Sequence, residues 1–227
     1  MPGRITWDQV GEREYETGVD HGVLYKPDNT GAYTKGYAWN GLTTVTESPS
    51  GADSNKQYAD NLVYVDLQSA EEFAATVEAF TYPVEFEECD GTASPEAGVS
   101  VGQQTRVPFG LSYRTRLGND LQGTDHGYKL HLVYGLKAAP SEKAYTTVND
   151  SPEALSFSWE CSSTGVEVGT INGKEYKPTS ILTVNSTKVD AATLADLEDL
   201  LYGAAGTEPE LPSPADVIAL FAAVPAP

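Results

Sequence analysis

The chain has 227 residues, enough for one domain with a buried core that needs neither disulfides nor metals. Its 33 Asp and Glu residues outnumber 14 Lys and Arg residues, which gives a net charge of -19 at pH 7. This excess of negative charge argues against a protein that binds the phosphate backbone of nucleic acids, because that binding depends on cationic side chains. The acidity either keeps the protein soluble or forms a surface past which DNA moves without sticking.

The first strand patterns lie between residues 33 and 67. Residues 33–45 (YTKGYAWNGLTTV) predict extended segments around glycines, and residues 61–67 (NLVYVDL) predict a strand with side chains on two usable faces. One face carries Leu62, Tyr64 and Asp66, and the other carries Val63, Val65 and Leu67.

Residues 69–82 (SAEEFAATVEAFTY) give conflicting signals. Ser69 followed by Glu72 is a capping-box pattern that favours a helix. The later residues are β-branched and aromatic, and they favour a strand. We therefore predict a short turn followed by a strand.

Several further strands are predicted in the second half of the chain. Residues 105–117 and 127–135 predict an antiparallel pair, and the connection at 118–126 (GNDLQGTDH) is long enough for a mobile loop. More strand patterns follow at residues 143–148, 154–162, 166–171, 172–178 and 179–184. The pair Asn172 and Gly173 predicts a tight hairpin turn.

Two helices are predicted near the C-terminus. The first has Asp190 as N-cap, an apolar leucine stripe, and Gly203 as its stop; the stripe is Leu194, Leu197, Leu200 and Leu201. The second begins with Ser213 and Pro214, and a Pro-containing tether (residues 203–212) joins the two. We expect a β domain at 1–187 and a helical segment at 188–227, docked either on the body or on a neighbouring subunit.

No established catalytic or metal-binding motif occurs in the sequence, so we expect no enzymatic activity and no cofactor. The carboxylates Asp120 and Asp125 lack the ligand ladder of a calcium loop. Cys89 and Cys161 have no CxxC spacing, and we expect both to be reduced and at least partly buried. The N-terminus lacks a signal-peptide pattern, which predicts synthesis in a cytoplasm.

The stretch at residues 46–60 (TESPSGADSNKQYAD) is the long interruption in the β pattern. Fifteen residues rich in Ser, Asp and Asn exceed the usual length of a loop in a compact domain. We interpret it as disordered or as a hairpin arm that becomes ordered on assembly.

Several long blocks resemble the major tail protein, or tail tube protein, of long-tailed, siphovirus-type bacteriophages. They follow one another from Trp7 to Pro214, over almost the whole chain. The blocks are WDQVGEREYETGVDHGVLY, YAWNGLTTVTESPSGADSNKQYADN, EAFTYPVEFEECDG, FGLSYRTRLGND with GYKLHLVYG, and NDSPEALSFSWE.

The resemblance implies a mainly β fold: a sandwich or partial barrel of two packed sheets, a flanking short helix and a small helical C-terminal appendage. It also implies a structural virion protein, assembled in the host cytoplasm, that forms stacked hexameric rings around a lumen for DNA ejection. The implied partners are further copies of itself and the tape-measure, tail-tip or baseplate, and tail-terminator proteins. DNA would pass through the lumen without specific binding, and closure of the sheet would remove its exposed edges.

Two regions are assigned to assembly through the resemblance. The ring-stacking loop is expected at Ser48, Pro49, Ser50, Gly51, Asp53 and Lys56. An inter-subunit arm is expected from Trp7 to Tyr25, with Trp7, Tyr15 and Tyr25 as aromatic anchors. The alternative for this second region is an ordinary N-terminal strand and turn packed on its own core.

A different class of function also fits the composition. A β-sandwich that binds carbohydrate or mediates adhesion would use Tyr33, Tyr37 and Trp39 as a platform for the ligand. That platform requires the three rings to be exposed on one face, and the glycine at position 36 interrupts the alternation of faces.

Overall fold

The computed structural model describes residues 4–148, 150–151, 153–171 and 173–222. It confirms a mainly β protein, with 48% strand and 11% helix. Asn172, at the predicted tight turn, lies outside the described residues, but the strands on either side pair as a hairpin. Among the helices of this part of the chain, none has the length and apolar character needed to cross a membrane.

Sixteen strands, one 3₁₀ turn and two helices make up the described fold. The strands are β1 (Tyr15–Lys26), β2 (Lys35–Ala38), β3 (Leu42–Glu47), β4 (Ser50–Gly51), β5 (Ser54–Ala59), β6 (Leu62–Gln68), β7 (Glu71–Glu72), β8 (Ala74–Ala79), β9 (Ala93–Glu96), β10 (Val99–Val101), β11 (Phe109–Asn119), β12 (Gly123–Ala138), β13 (Phe157–Ser163), β14 (Gly169–Ile171), β15 (Lys174–Tyr176) and β16 (Ile181–Asn185). The 3₁₀ turn is Val84–Phe86, and the helices are α1 (Ala191–Tyr202) and α2 (Pro214–Ala222).

Eight of these strands form one large antiparallel sheet in the order β2-β1-β11-β12-β13-β8-β3, with β16 also paired to β12. The long strand β12 makes this branching possible, because it pairs with β16 along its middle and with β13 at its end. Only three residues join the two outermost strands, β2 and β3, and the backbone N–H of Trp39 donates to the carbonyl of Gly22 at 2.8 Å. The sheet therefore curls back on itself as a partial barrel.

An aromatic cluster fills the inside of this curled sheet. Trp159 of β13 is fully buried and makes edge-on contacts with Phe86 and Tyr82, with ring centroids 5.0 and 5.4 Å apart. Trp39 closes the cluster on the side of the β2–β3 link, and Phe109 joins it from β11. The two facing layers of the core are thus halves of a single sheet.

The helices cover the outer face of β1, β12 and β16. Asp190 caps α1 by accepting a hydrogen bond from the backbone N–H of Thr193 at 3.0 Å, as the sequence predicted. Leu197 and Leu201 are fully buried against this face. The tether is also packed, because Leu211 is buried and its N–H donates to the carbonyl of Tyr33. The helices therefore dock on the body of their own protomer and share its core, a choice that the sequence left open.

The strand preferred for residues 69–82 is confirmed, because Ala74–Ala79 form β8 between β13 and β3. Two other expectations were wrong. The connection at 118–126 is not a long loop, since Asn119 pairs with Gly123 and its side-chain oxygen accepts the N–H groups of the turn. Residues 143–148 form no strand; a lysine in this segment instead forms an ion pair that holds it against the body.

Candidate assembly surface

The most distinctive feature of the surface is a two-stranded ribbon that leaves the body. Strands β3 and β8 continue past the edge of the barrel, first as the pair β4–β7 and then as the pair β5–β6. All 27 residues from position 46 to position 72 are exposed, and we call this segment the ribbon arm. From Ser48 to Asp60 it reaches roughly 40 Å, at about 3.3 Å per residue of strand.

Local chemistry explains why the ribbon arm forms a hairpin. At its tip, Asp60 and Asn61 have left-handed backbones, with φ of 49° and 62°, as a two-residue hairpin turn requires. At its base, Gly51 has φ of 83°, and a Cβ there would lie 2.3 Å from the carbonyl oxygen of Ala70. No other residue type fits this bend without moving the partner strand.

The ribbon arm exposes much apolar surface without a covering partner in its own chain. Tyr64 is 78% exposed and Leu62 is 71% exposed. The complete set of large exposed apolar side chains on it is Tyr58, Leu62, Val63, Tyr64, Val65 and Leu67. A lone two-stranded hairpin is marginally stable in water, and a contiguous exposed apolar patch marks an interaction site. The arm therefore has the properties of an element that another chain covers.

The predicted stacking residues all lie on the first half of the ribbon arm. Ser48, Pro49, Ser50, Gly51, Asp53 and Lys56 are all exposed. Of the two interpretations of residues 46–60, disorder was wrong, whereas the hairpin arm has the observed form, because these residues form β4 and β5 of the ribbon. The second half, β6, is the strand predicted at residues 61–67, but its place in the arm was missed because its two apolar faces are typical of a core strand. The only local signal was its partner, whose polar residues (SNKQ) provide no core to cover it.

The three predicted N-terminal anchors differ in their exposure to solvent. Trp7 is 72% exposed and Tyr15 is 46% exposed, so both stay available for a neighbouring chain. Tyr25 is fully buried, and its hydroxyl donates to the carbonyl of Leu201 at 2.7 Å. Tyr25 therefore anchors β1 to α1 of its own protomer and does not belong to the inter-subunit set.

The N-terminal segment, residues 4–14, lies against the turn between β11 and β12. The backbone N–H of Gly11 donates to Asp120 at 2.8 Å, so that carboxylate holds the segment at this turn. In the part of the chain that the structure describes, no group of three or more His, Cys, Asp and Glu side chains is arranged to hold a metal.

A polar cluster inside the barrel ties the root of the ribbon arm to the body. Glu47, the last residue of β3, accepts a hydrogen bond from the Tyr113 hydroxyl at 2.6 Å. His131 stacks on the Tyr113 ring with centroids 4.7 Å apart, and its Nδ1 lies 3.4 Å from Glu47. Burial lowers the pKa of His131 below its ordinary value. A neutral His131 is consistent with its buried position on β12, where it stacks on Tyr113 of β11.

A second charged cluster stabilises the bulged part of β1 on the outer face. Asp20 accepts hydrogen bonds from Arg114 at 2.7 Å and from Arg116 at 3.1 Å. Burial alone would raise the pKa of Asp20, but hydrogen bonds from Arg114, His21 and Arg116 outweigh it and lower this pKa to about 2. These partners occupy the carboxylate, which makes it a structural group.

The strand register places the ribbon arm at one end of the body, and the connections that precede β11 and follow β12 at the other. Glu47 pairs with Ala75 at the root of the arm, whereas Leu42 and Phe157 both pair with Ala79 at the far end of β8. The N-terminal segment and the β11–β12 turn lie at the same end as the arm. The β9–β10 hairpin and residues 139–148 lie at the opposite end, which we call the loop end. The body therefore has two unlike ends.

One face of the sheet is left uncovered by the helices. Apart from Ala74, the outward side chains of β3, β8 and β13 are hydroxyl and carboxylate groups, and these strands contain no Lys or Arg. The outward residues are Thr44, Thr46, Thr76, Glu78, Ser158, Glu160 and Ser162. A polyanion would find no cation to bind on these three strands.

The alternative platform for a carbohydrate is not formed. Trp39 is 3% exposed, and its indole N–H donates to the carbonyl of Thr81 at 3.0 Å. The Tyr33 hydroxyl accepts the N–H of Gly135, and Tyr37 packs against the inner core. The three rings thus serve the fold, and they do not form the exposed face that this alternative requires.

Comparisons with known proteins complete the description of the surface. None of the protein-family models matches this chain, and no match was found among curated proteins. No matched relative therefore assigns a role to the ribbon arm, to the two unlike ends or to the uncovered face of β3, β8 and β13.

Proposed function

We propose that this chain is a tail tube protein, a structural subunit that assembles into stacked hexameric rings and forms the channel for phage DNA. The observation that carries the proposal is the ribbon arm, with 27 consecutive exposed residues and six large exposed apolar side chains. Such an arm gains stability only when a further chain covers it. Self-assembly supplies that further chain.

The position of the ribbon arm also supports stacking rather than a closed dimer. The arm leaves the body at one end, and the loop end presents a different surface. Contacts between two different surfaces of identical chains are heterologous, and they produce rings or open-ended filaments. In an axial stack, the arm at one end of each subunit would contact the opposite end of the subunit in the next ring.

The uncovered face of β3, β8 and β13 supports a role in conducting DNA. Its hydroxyl and carboxylate side chains would face the lumen, and the three strands would offer DNA no cationic contact, although exposed Lys137 of β12 lies beside Ser162 at the edge of this face. The helices on the other side of the barrel would then face outward. The hexameric ring, the virion location, and the tape-measure, tail-tip and terminator partners rest on the sequence resemblance.

The test is electron microscopy in negative stain of the purified protein over a concentration series, with light scattering in parallel. Two variants are compared with the wild type. In the armless variant, a Gly-Asn-Gly turn replaces residues 49–72, joins Ser48 to Phe73 and keeps the pairing of β3 with β8. The control variant, Asp199→Asn, changes an exposed position on α1.

We expect tubes or stacked rings with a central channel for the wild type and for Asp199→Asn. The armless variant should give single rings or monomers while it keeps the wild-type melting temperature within a few degrees. Wild-type protein that stays monomeric at its highest attainable concentration would overturn the proposal, whereas an armless variant that forms normal tubes would refute the role of the arm in stacking.

A further inference from the structure

The loop end carries a second set of exposed apolar side chains. Tyr145 is 75% exposed, Val99 is 53% exposed and Val101 is 45% exposed. The full set at this end is Phe80, Val84, Val99, Val101, Tyr145 and Val148. It matches the ribbon arm in the number and chemistry of its members.

Ion pairs hold this end of the molecule in a fixed arrangement. Asp90, which is buried, pairs with Arg106 at 3.3 Å and with Lys143 at 2.6 Å. The backbone N–H of Gln104 donates to the carbonyl of Gly91 at 2.9 Å. These contacts connect the chain before β9, the chain after β10 and the segment that carries Tyr145. The exposed apolar groups therefore sit on a formed platform.

The platform also offers backbone groups for strand pairing. The β9–β10 hairpin is an isolated two-stranded sheet and is mostly exposed, so the outer edge of β10 carries free N–H and C=O groups, whereas Pro95 removes an N–H donor from β9. A strand that lies along such an edge gains main-chain hydrogen bonds in addition to apolar contacts. The ribbon arm has the matching extended backbone.

We propose that the β9–β10 hairpin and residues 143–148 form the surface that receives the ribbon arm of a second copy of this chain in the next ring. This inference rests on the proposed function, which states that rings stack through the arm but does not say which surface of the next ring the arm contacts. Arm-to-arm pairing is the alternative, but it would close a dimer and leave the platform at the loop end uncovered.

The charges of the two surfaces make this contact dependent on salt in a defined direction. The ribbon arm contains six carboxylates and one lysine, and the loop end exposes Glu88, Glu96 and Glu142. Two acidic surfaces repel each other, so the contact is driven by apolar burial and opposed by charge. Raising the salt concentration should therefore lower the protein concentration needed for stacking.

Cysteine cross-linking tests the contact, because both native cysteines are buried. The test variant carries Tyr64→Cys on the arm and Val99→Cys on the platform. Each single variant is a control, and a third control combines Tyr64→Cys with Asp199→Cys on α1. All four are assembled, oxidised with copper phenanthroline and separated on a non-reducing gel.

We expect a ladder of covalent dimers, trimers and larger species for the Tyr64→Cys and Val99→Cys pair alone. A covalent dimer from Tyr64→Cys by itself would show arm-to-arm pairing and overturn the inference. A ladder with Asp199→Cys instead would place the arm on the helical face and also overturn it. Tubes without any cross-link would refute this contact but leave the proposed function standing, whereas the absence of any assembly would refute both.

Discussion

Replacing Gly51 by alanine tests whether the ribbon arm must keep its native bend for the protein to assemble. The backbone at this position is left-handed, with φ of 83°. An alanine in that region costs about 1–2 kcal/mol. Its Cβ would in addition lie 2.3 Å from the carbonyl oxygen of Ala70, so the two strands of the arm would have to separate at their base.

The cost converts into a change in the concentration at which the protein assembles. Because about 1.4 kcal/mol corresponds to a tenfold change in an equilibrium constant, the backbone cost alone raises this concentration about 5- to 30-fold. The contact with Ala70 adds to that cost, so we expect an increase of at least about 30-fold. The arm is outside the core, and the melting temperature should therefore stay within a few degrees of the wild type.

Gly173→Ala is the matched control. Gly173 also has a left-handed backbone, with φ of 77°, but a Cβ there meets no atom within 4 Å and the residue lies outside the ribbon arm. Both variants are compared with the wild type by sedimentation over a concentration series and by circular dichroism during heating. If Gly51→Ala sediments at the wild-type concentration, the bend of the arm is not needed for assembly and the reasoning fails.

Three further predictions concern the body of the protein. Leu197→Ala should lower the free energy of unfolding in urea by about 2–5 kcal/mol, because Leu197 is fully buried between α1 and the sheet. Asp20→Asn should lower it by about 1–2 kcal/mol at pH 7, since the folded-state pKa of Asp20 is about 2 and its ordinary value is 3.8. That stabilisation is present above pH 4 and lost as the pH falls to 2, so the two unfolding curves should converge over this range. Cys89 and Cys161 should resist a thiol reagent at pH 8 until the protein unfolds, because burial raises the pKa of each to about 12.

Each of these predictions has a clear contrary result. The control for Leu197→Ala is Leu121→Ala at an exposed position, which should change the free energy of unfolding by less than about 0.5 kcal/mol. If Leu197→Ala has an effect as small as that of the control, α1 is not part of the core. A loss of stability in Asp20→Asn that does not vary between pH 2 and pH 7 would exclude the carboxylate as its source. Rapid labelling of both thiols in the folded protein would contradict their burial.

Helix α1 could be predicted from the sequence because its signals are local. Asp190 at one end and Gly203 at the other act on the nearest turn of backbone, and the leucine stripe defines the buried face without reference to the rest of the chain. Strand β8 was predictable for a related reason, because its alternate residues face the core and the solvent. In both cases the pattern and the three-dimensional environment agree.

The ribbon arm and the fate of Tyr25 were not predictable in the same way. Residues 62–68 have the composition of a core strand, and only the register with the polar strand β5 shows that the two strands extend away from the body. Tyr25 was expected at a subunit interface, but its environment depends on α1, which is more than 160 residues later in the sequence. Trp39 was misplaced for the same reason, since the curling of the sheet determines what covers it.

The departure of the ribbon arm from only one end of the body has a consequence for growth. A stack held together by arms is directional: its first ring and its last ring present different groups to the surroundings. One terminus offers unoccupied hairpins, whereas the other offers unoccupied platforms. Subunit addition can therefore proceed at different rates at the two termini, and a protein that nucleates the stack needs a recognition surface unlike that of a protein that arrests it.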